Sequence, residues 1–216
     1  MMLLEQQNTI VKNTLIDISA KYPDKKFLLD IGCGSGARTS IFNDFGRELI
    51  GCDRVRYWLD DRYKNAFKFI EGDFVDGTIP LDNEYADIIF NYDVIEHLLS
   101  PEKLLKETYR LLKKDGIFIV STPNRNRILN FILLKLGLRH FPSFPDYKNK
   151  DPEYLRNDPY AAHVYEYTVP DLEMLLYKHN FRVIKTHKIF YGHQYGIKNL
   201  FGFPFFHNII MECIKV

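Results

Sequence analysis

Short apolar runs alternate with longer amphipathic segments along most of this chain. The short runs predict seven strands, at 27–31, 48–53, 67–71, 85–91, 116–122, 182–190 and 208–215. Four longer segments are compatible with helices, at 3–21, 37–45, 101–113 and 169–179. Buried strands separated by helices are typical of parallel sheets that are covered on both faces. The pattern therefore predicts one α/β domain, 1–216, with a doubly wound, mostly parallel sheet.

Polar residues stand where four of these strands end, namely Asp30, Asp53, Asp73 and Asn91. In open parallel sheets, ligands bind outside the carboxyl ends of the strands. One crevice at this edge can collect all four side chains, so we expect a binding site there.

Three glycines alternate with small residues directly after the first predicted strand, in the turn from Gly32 to Gly36. Glycine lets the backbone turn sharply and approach a ligand without a Cβ in the way. A dinucleotide-binding turn has the spacing G-x-G-x-x-G, whereas this turn reads G-x-G-x-G. The turn predicts a bound ligand, and its third glycine disfavours a nicotinamide dehydrogenase.

Two downstream carboxylates narrow the choice of ligand. Asp53 stands 21 residues after Gly32, where folds of this kind hold the hydroxyls of a ribose. Asp73 follows the third strand and could accept a hydrogen bond from an adenine amino group, with Phe74 covering the ring. A cofactor that contains adenosine fits both positions.

With these residues in place, the chain resembles the class I S-adenosylmethionine-dependent methyltransferases over residues 25–190. The resemblance rests on six segments in the family's order: 28–37, Asp53, 71–74, 86–99, 111–124 and 163–181. It implies a seven-stranded sheet with an antiparallel C-terminal edge strand, and S-adenosylmethionine as the cofactor. The cofactor-binding residues it implies are Asp30, Gly32, Cys33, Gly34, Gly36, Asp53, Asp73, Phe74, Asn91 and Tyr92.

A second polar set follows the fourth strand: Asp93, Glu96 and His97, with His163 from a separate segment. The first three are spaced so that their side chains can share one face of a helical turn. Two carboxylates and two imidazoles suit a divalent metal such as Mg²⁺ or Mn²⁺, which would lower the pKa of a coordinated hydroxyl. Without a metal, His97 or His163 can act as the base, or His97 can cap the helix.

The same set is similar to two metal-using branches of the family. Ubiquinone-biosynthesis O-methyltransferases have an acid-x-x-Glu-His motif after strand four. Small-RNA 3′-terminal 2′-O-methyltransferases share it and add a later histidine in a segment like 163–168. The first acid is usually Glu in both branches, and here it is the shorter Asp93. The resemblance implies catalytic roles for His97 and His163, and metal ligation by Asp93, Glu96, His97 and His163.

Two regions exceed a minimal domain. Residues 124–162 form a long insert rich in basic and apolar side chains, and residues 191–207 are rich in aromatic side chains and glycine. Long connections are often binding lids, and a basic, apolar lid suits an anionic or lipid-like acceptor. Ordinary packing, a subunit interface and peripheral contact with a membrane surface stay open for these regions. The sequence does not indicate an oligomeric state.

Composition limits the partners further. The net charge is +1, and this value disfavours a strongly basic nucleic-acid-binding domain. Three cysteines, Cys33, Cys52 and Cys213, are too few and too scattered for a disulfide framework, which indicates a reducing, cytoplasmic compartment. Residues 1–20 are too polar for a signal peptide, and no apolar run is long enough to predict a transmembrane segment.

Three functions follow from these observations. The first is a methyltransferase that acts on the hydroxyl of a small molecule, lipid or sugar, with N- and C-methylation still open. The second is a metal-dependent 2′-O-methyltransferase acting on an RNA 3′ end, which the polar set and the basic insert favour and the net charge disfavours. The third is a regulatory protein that binds the cofactor without turnover. The sequence does not identify the acceptor.

Overall fold

The computed structural model describes residues 2–73, 78–127, 130, 132, 135, 136, 163–190 and 206–216. Most of the predicted lid at 124–162 and of the aromatic segment at 191–207 lies outside these residues, as does Phe74. The expectations for those regions stay predictions.

Seven strands form one sheet in the order β3-β2-β1-β4-β5-β7-β6. Their bounds are β1 Phe27–Ile31, β2 Glu48–Asp53, β3 Lys68–Glu71, β4 Ala86–Tyr92, β5 Leu112–Pro123, β6 Phe181–Ile189 and β7 Asn208–Lys215. Strands β1 to β5 pair in parallel. The strand order reverses between β1 and β4, and such a switch point opens a crevice at the carboxyl ends of the two strands.

The C-terminal strand β7 is antiparallel to both of its neighbours, β5 and β6. The doubly wound, mostly parallel sheet and its antiparallel C-terminal strand are therefore confirmed. Strand β7 lies one position in from the edge, because β6 pairs along its outer side. The sequence could not distinguish these two positions, since both strands follow α3 and either could reach β5.

Three described α-helices cover the two faces of the sheet: α1 Met2–Ala20, α2 Pro101–Leu111 and α3 Val169–Lys178. One core contains residues of α1, such as Leu15, with Leu28 and Ile88 of the sheet. The other contains residues of α2 and α3 with Leu29 and Ile89. Consecutive strand residues alternate between the cores, because side chains of a strand point to opposite faces in turn.

One predicted helical segment differs from expectation, and the next connection within the described residues contains no α-helix. The segment predicted as a helix at 37–45 is a 3-10 helix, Thr39–Phe45, that ends where Gly46 turns left-handed at φ 63°. Between β2 and β3 the described chain has a 3-10 helix, Arg56–Trp58, and turns instead of an α-helix. The apolar side chains of Leu59 and Phe67 in this connection pack over Gly36. Packing against the glycine turn, not helical periodicity, decides their conformation.

Cys33, Cys52 and Cys213 are all free thiols with buried side chains. Within the described part of the chain, no helix combines the length and the apolar character that a membrane crossing requires.

Candidate functional site

The glycine turn is held against the carboxyl end of β2. Gly32 and Cys33 donate backbone hydrogen bonds to the Cys52 carbonyl at 2.8 and 3.1 Å. Gly32, Gly34 and Gly36 have φ values of 84°, 49° and 79°, which residues with a Cβ rarely adopt. A Cβ on Gly32 would lie 2.4 Å from Val94 Cγ2, whereas one on Gly34 would have no atom within 4 Å. A ligand can therefore approach the backbone closely at Gly34.

Asp53 borders this open side of the turn. Its buried carboxylate accepts hydrogen bonds from the N–H of Gly34 at 2.8 Å and from the N–H of Arg54 at 2.7 Å. Burial raises the pKa of Asp53, and both hydrogen bonds oppose that effect. Arg54 Nε in turn lies 3.6 Å from Asp73 Oδ2. The two acids predicted to hold ribose and adenine are thus linked at neighbouring strand ends.

Asp30 and Asn91 form the floor of the crevice on β1 and β4. Asp30 Oδ2 accepts a 2.6 Å hydrogen bond from Thr39 Oγ1, and Asn91 Nδ2 donates to the Ile31 carbonyl at 2.7 Å. Oδ1 of Asp30 and Oδ1 of Asn91 are both buried and have no hydrogen-bond partner. Burial raises the pKa of Asp30 to about 7, against the stabilising hydrogen bond from Thr39. Unpartnered buried acceptors are costly, so both oxygens favour a ligand that brings N–H or O–H donors.

Asp93 adopts a conformation that the sequence did not predict. Its φ is 53°, and the helical turn that follows is a 3-10 helix, Ile95–His97. The backbone N–H of Asp93 donates to the Ser121 carbonyl, while its Oδ1 accepts from Ser121 Oγ at 2.9 Å and from Asn208 Nδ2 at 3.3 Å. These bonds to β5 and β7 hold Asp93 ahead of the turn, so it does not share a helical face with Glu96 and His97.

Glu96, His97 and His163 come together where β4 ends. One potential ligand atom from each lies within 4.8 Å of the other two, and Asp93 is outside this group. The rings of His97 and His163 are 5.0 Å apart and nearly perpendicular. Glu96 is fully buried. Its Oε2 accepts from Thr122 Oγ1 at 3.1 Å, and its Oε1 has no hydrogen-bond partner and lies 4.0 Å from His97 Nε2. The structure therefore brings together three of the four residues of the predicted set.

His163 is oriented by Glu166. His163 Nδ1 lies 2.9 Å from Glu166 Oε1, and the same carboxylate accepts from Arg127 at 2.7 Å and from Asn130 Nδ2 at 2.7 Å. A carboxylate on one ring nitrogen of a histidine holds the proton there and leaves the lone pair on the other. We therefore assign the proton to Nδ1 of His163 and the lone pair to Nε2.

The two buried glutamates have opposite electrostatic environments. Burial, together with the nearby Asp93, raises the pKa of Glu96 well above its ordinary value. Burial would raise the pKa of Glu166 as well, but hydrogen bonds from His163, Arg127 and Asn130 outweigh it and hold that pKa at about 2. Glu166 is therefore a fixed negative charge, whereas a nearby cation would favour the ionised form of Glu96.

A sequence family described as "Methyltransferase domain" matches residues 29–120 of this chain. These residues include the glycine turn, Asp53, Asn91 and the Glu96–His97 pair. The chain carries a class I S-adenosylmethionine-dependent methyltransferase domain. The family prediction is therefore confirmed, and S-adenosylmethionine is the cofactor that the family implies.

Individual relatives agree with this assignment. The chain is 35% identical over 103 residues to a ubiquinone biosynthesis O-methyltransferase of Ruegeria pomeroyi, which covers 46% of this chain and 42% of that protein. It is 33% identical over 108 residues to a protein of Mycolicibacterium smegmatis named as a probable S-adenosylmethionine-dependent methyltransferase, covering 45% of this chain and 38% of the other. The chain thus spans less than half the length of these two relatives.

Solved structures agree on the fold. A methyltransferase from Archaeoglobus fulgidus superposes with a TM-score of 0.67 at 18% identity, over 96% of this chain and 94% of the other. Magnesium protoporphyrin IX methyltransferase from Synechocystis, solved with bound SAH, superposes with a TM-score of 0.63 at 16% identity, over 97% and 83% of the two chains. At these identities the likeness concerns the methyltransferase fold alone.

The residues of the domain fit the cofactor that the family implies. S-adenosylmethionine carries an ammonium group and ribose hydroxyls, which are donors. The unpartnered oxygens of Asp30 and Asn91 can accept from the first, and the carboxylate of Asp53 can accept from the second. The open side of Gly34 leaves room for a ligand against the backbone.

The residues also fit a divalent metal in part. Glu96, His97 and His163 offer one carboxylate oxygen and two imidazole nitrogens, and the Glu96 oxygen is buried without a partner. Imidazole ligands suit transition metals, whereas Mg²⁺ prefers oxygen ligands. Among the two ions expected, Mn²⁺ therefore fits this donor set better than Mg²⁺.

Sequence reasoning missed two contributors to the site. Arg38 stacks on Tyr92, with its Cζ 3.7 Å from the ring centroid, and no motif identified it. Asn130 donates a hydrogen bond to Glu166 from the predicted lid, 36 residues away along the chain. The sequence offered one signal for the contact between His163 and Glu166, namely that the carboxylate follows the candidate histidine by three residues.

Proposed function

We propose that this chain transfers the methyl group of S-adenosylmethionine to a hydroxyl of a small-molecule, lipid or sugar acceptor. The observation that carries the proposal is the group of Glu96, His97 and His163 beside the carboxyl end of β4. This position adjoins Asn91 and Tyr92, where the cofactor is expected. A proton acceptor next to the cofactor is what a hydroxyl requires and an amine does not, since the amine lone pair attacks directly.

The proposed reaction needs two events at one oxygen. The O–H proton passes to Nε2 of His163, while the hydroxyl oxygen attacks the methyl carbon in line with the departing sulfur. The new O–C bond forms as the S–C bond breaks, and the sulfonium becomes a neutral thioether. Glu166 stabilises the imidazolium that results, and its negative charge persists because its pKa is held at about 2.

A metal ion would activate the hydroxyl in a different way. Glu96, His97 and His163 would hold it, so the Nε2 lone pair of His163 would then be a ligand and not a proton acceptor. The bound cation would instead lower the pKa of a nearby hydroxyl. The names of the ubiquinone biosynthesis O-methyltransferase relatives support oxygen as the acceptor atom. Those names do not identify the acceptor of this chain, which is shorter than the relatives.

The RNA-end alternative rests on the same three residues and on the basic insert. One of those basic residues, Arg127, forms a 2.7 Å ion pair with Glu166, so it positions His163 and is not available as a phosphate contact. We therefore favour the small-molecule acceptor. Binding of a short RNA that falls steeply with salt concentration would reverse this preference.

Cofactor binding is the first test. Calorimetric titration of metal-stripped protein with S-adenosylmethionine should show micromolar binding, and NAD should show none. Asp53→Asn should weaken binding by about tenfold or more, because ionised acceptors make hydrogen bonds of about 1.5–3 kcal/mol. Absence of binding in folded wild-type protein, with or without Mn²⁺, would refute the proposal.

The proton acceptor is tested separately. His163→Ala and His97→Ala should keep cofactor binding while losing turnover of any hydroxyl acceptor found by screening. Glu166→Gln should lower kcat by about 10- to 100-fold, the usual effect of removing a partner that orients a functional histidine. Nitrogen-15 NMR of His163 should show the Nδ1–H tautomer in the wild type and a mixture in Glu166→Gln. Full activity in His163→Ala would exclude this residue as the base.

A further inference from the structure

A cavity of about 740 Å³ lies between α1 and the segment that follows the glycine turn. Ser35 of the turn and Arg38 line one side, and Lys12 and Ile16 of α1 line the other. Small-molecule sites typically have volumes of about 300–1,000 Å³. The cavity lies beside the glycine turn, so a ligand bound in the cavity would be adjacent to the predicted cofactor position.

Arg38 connects this cavity to the cofactor crevice. Its guanidinium stacks on Tyr92 at the end of β4, and the same side chain lines the cavity. Its positive charge lowers the pKa values of both Asp30 and Asp93, although burial raises them more. The guanidinium therefore lies on the carboxyl edge of the sheet, where the methionine end of the cofactor and the acceptor would meet.

The charged groups of Arg38 and Lys12 keep their hydrogen-bonding capacity, although the positive charge of Arg38 also lowers the pKa values of Asp30 and Asp93. Within the described residues, neither side chain forms a salt bridge or a side-chain hydrogen bond. Stacking on Tyr92 holds the guanidinium plane in place, so less conformational freedom is lost when an anion binds. A fixed arginine with a second cation across a cavity is a suitable arrangement for a carboxylate or phosphate.

The other lining residues indicate the chemistry of the part of the ligand that carries no charge. Ile16, Ile41 and Phe45 supply apolar surface, and Asp44 is the one acid among the lining residues. An anion with an apolar portion would match the cations at one end and the aliphatic and aromatic groups at the other.

We propose that this cavity binds the anionic group, a carboxylate or a phosphate, of a ligand of the methyl-transfer reaction, with Arg38 and Lys12 as its cations. The proposal rests on the proposed function for the identity of that reaction. The apolar part of the lining favours an amphipathic acceptor as this ligand, and binding of the amino-acid carboxylate of the cofactor itself is the competing outcome of the test.

Calorimetry with four probes distinguishes the two sources. The probes are S-adenosylhomocysteine, 5′-methylthioadenosine (which lacks the amino-acid group), hexyl phosphate and hexanol. The variants are Arg38→Met and Lys12→Met, and Arg182→Met is the matched control because Arg182 is an exposed arginine on the edge strand β6. Thermal unfolding establishes that each variant folds.

If the acceptor supplies the anion, hexyl phosphate binds wild-type protein and hexanol binds at least about tenfold more weakly. Arg38→Met and Lys12→Met then weaken hexyl phosphate by a similar factor and leave S-adenosylhomocysteine unchanged. If the cofactor supplies the anion, Arg38→Met weakens S-adenosylhomocysteine but not 5′-methylthioadenosine. In both cases Arg182→Met behaves like the wild type.

The proposal is overturned if Arg38→Met weakens S-adenosylhomocysteine alone, or if it changes the affinity of none of the anionic probes. It is also overturned if Arg182→Met weakens them equally, since the effect would then be one of net charge. Failure of wild-type protein to bind either nucleoside would refute the proposed function alone, because the hexyl phosphate titration needs no cofactor.

Discussion

At the scale of single residues, the glycine turn shows how two positions with the same backbone requirement differ in purpose. Gly32 and Gly34 both have positive φ. A side chain at Gly32 would collide with Val94, whereas one at Gly34 would enter open space. The first glycine is therefore required by packing, and the second leaves the ligand's side of the turn clear.

Alanine substitutions should separate these two roles. Gly34→Ala should cost about 1–2 kcal/mol of unfolding free energy from its left-handed backbone, and should weaken S-adenosylhomocysteine by about tenfold or more, because the new methyl projects toward the ligand. Gly32→Ala should cost about 1–3 kcal/mol beyond that, since its methyl overpacks the Val94 contact. Urea unfolding and calorimetry measure both effects. Equal stability of the two variants would contradict the packing role assigned to Gly32.

At the scale of elements, a buried carboxylate anchors the end of α1 to the sheet. Glu212 of β7 accepts hydrogen bonds from Lys21 at 2.5 Å and Tyr22 at 2.6 Å, just beyond α1, and lies 2.6 Å from Nε2 of His187 on β6. Burial opposes ionisation of Glu212, but the three partners outweigh it and lower its pKa. Because α1 also forms one wall of the proposed anion cavity, this anchor supports the site from a distance.

The lowered pKa of Glu212 sets the sign of a pH effect. The carboxylate stabilises the fold above the unfolded-state pKa of about 4.3, and this stabilisation is lost as the pH falls through the lower folded-state value. Glu212→Gln should therefore be less stable than wild type by about 2 kcal/mol at pH 7. The difference should shrink as the pH falls below about 4.

Chemical denaturation at several pH values measures this difference. Glu84→Gln is the matched control: Glu84 pairs with Lys215 at 3.2 Å, but its side chain is 56% exposed. Exposed pairs contribute about 0–1 kcal/mol, so this variant should remain close to wild type throughout. A Glu212→Gln variant with the same stability difference at pH 3 and pH 7 would show that the anchor does not act through its charge.

At the scale of the whole molecule, the cofactor is expected to bridge the ends of β1, β2 and β4. These strands pair side by side in the sheet, and their ends supply the glycine turn, Asp53 and Asn91. A ligand held by several strands at once binds the folded chain and not the unfolded one, so it must stabilise the fold by mass action.

S-adenosylhomocysteine at 100 times its Kd should add about 2.7 kcal/mol of stability. For a domain of this size we expect Tm to rise by about 5–10 °C. Asp53→Asn, studied at the same ligand concentration, should show a much smaller rise. A wild-type Tm that does not respond to the ligand would argue against a site built from three strands.

Much of this architecture could be predicted from local patterns. Strands β1, β2 and β7 have the predicted bounds, because buried strands appear in the sequence as short apolar runs. The acids at the ends of β1 and β2 followed from the same pattern. The helical segment after the glycine turn was predicted less well, because it is a 3-10 helix that begins only at Thr39. Thr39 donates a hydrogen bond to Asp30, and that contact has no periodic signature.

The polar residues that follow β4 show where local sequence patterns do not predict which side chains meet. Spacing placed Asp93 with Glu96 and His97, but hydrogen bonds from Ser121 and Asn208 hold Asp93 apart. Glu166 could be noted as a neighbour of His163 in sequence. Its partners Arg127 and Asn130 could not, since they lie 39 and 36 residues away.

The resemblance to a known family implied the cofactor, whereas local patterns of the sequence determined the fold class and the edge of the sheet where the ligand is expected. Those properties depend on apolar periodicity, glycine spacing and strand-end polarity, which are local and need no partner. Only the tertiary structure decided which polar groups meet: the joining of Glu96 and His97 with His163, the orientation of His163 by Glu166, and the place of Arg38 between the cofactor crevice and a cavity. Such contacts join residues far apart along the chain, and their distances are set by how the helices and strands pack.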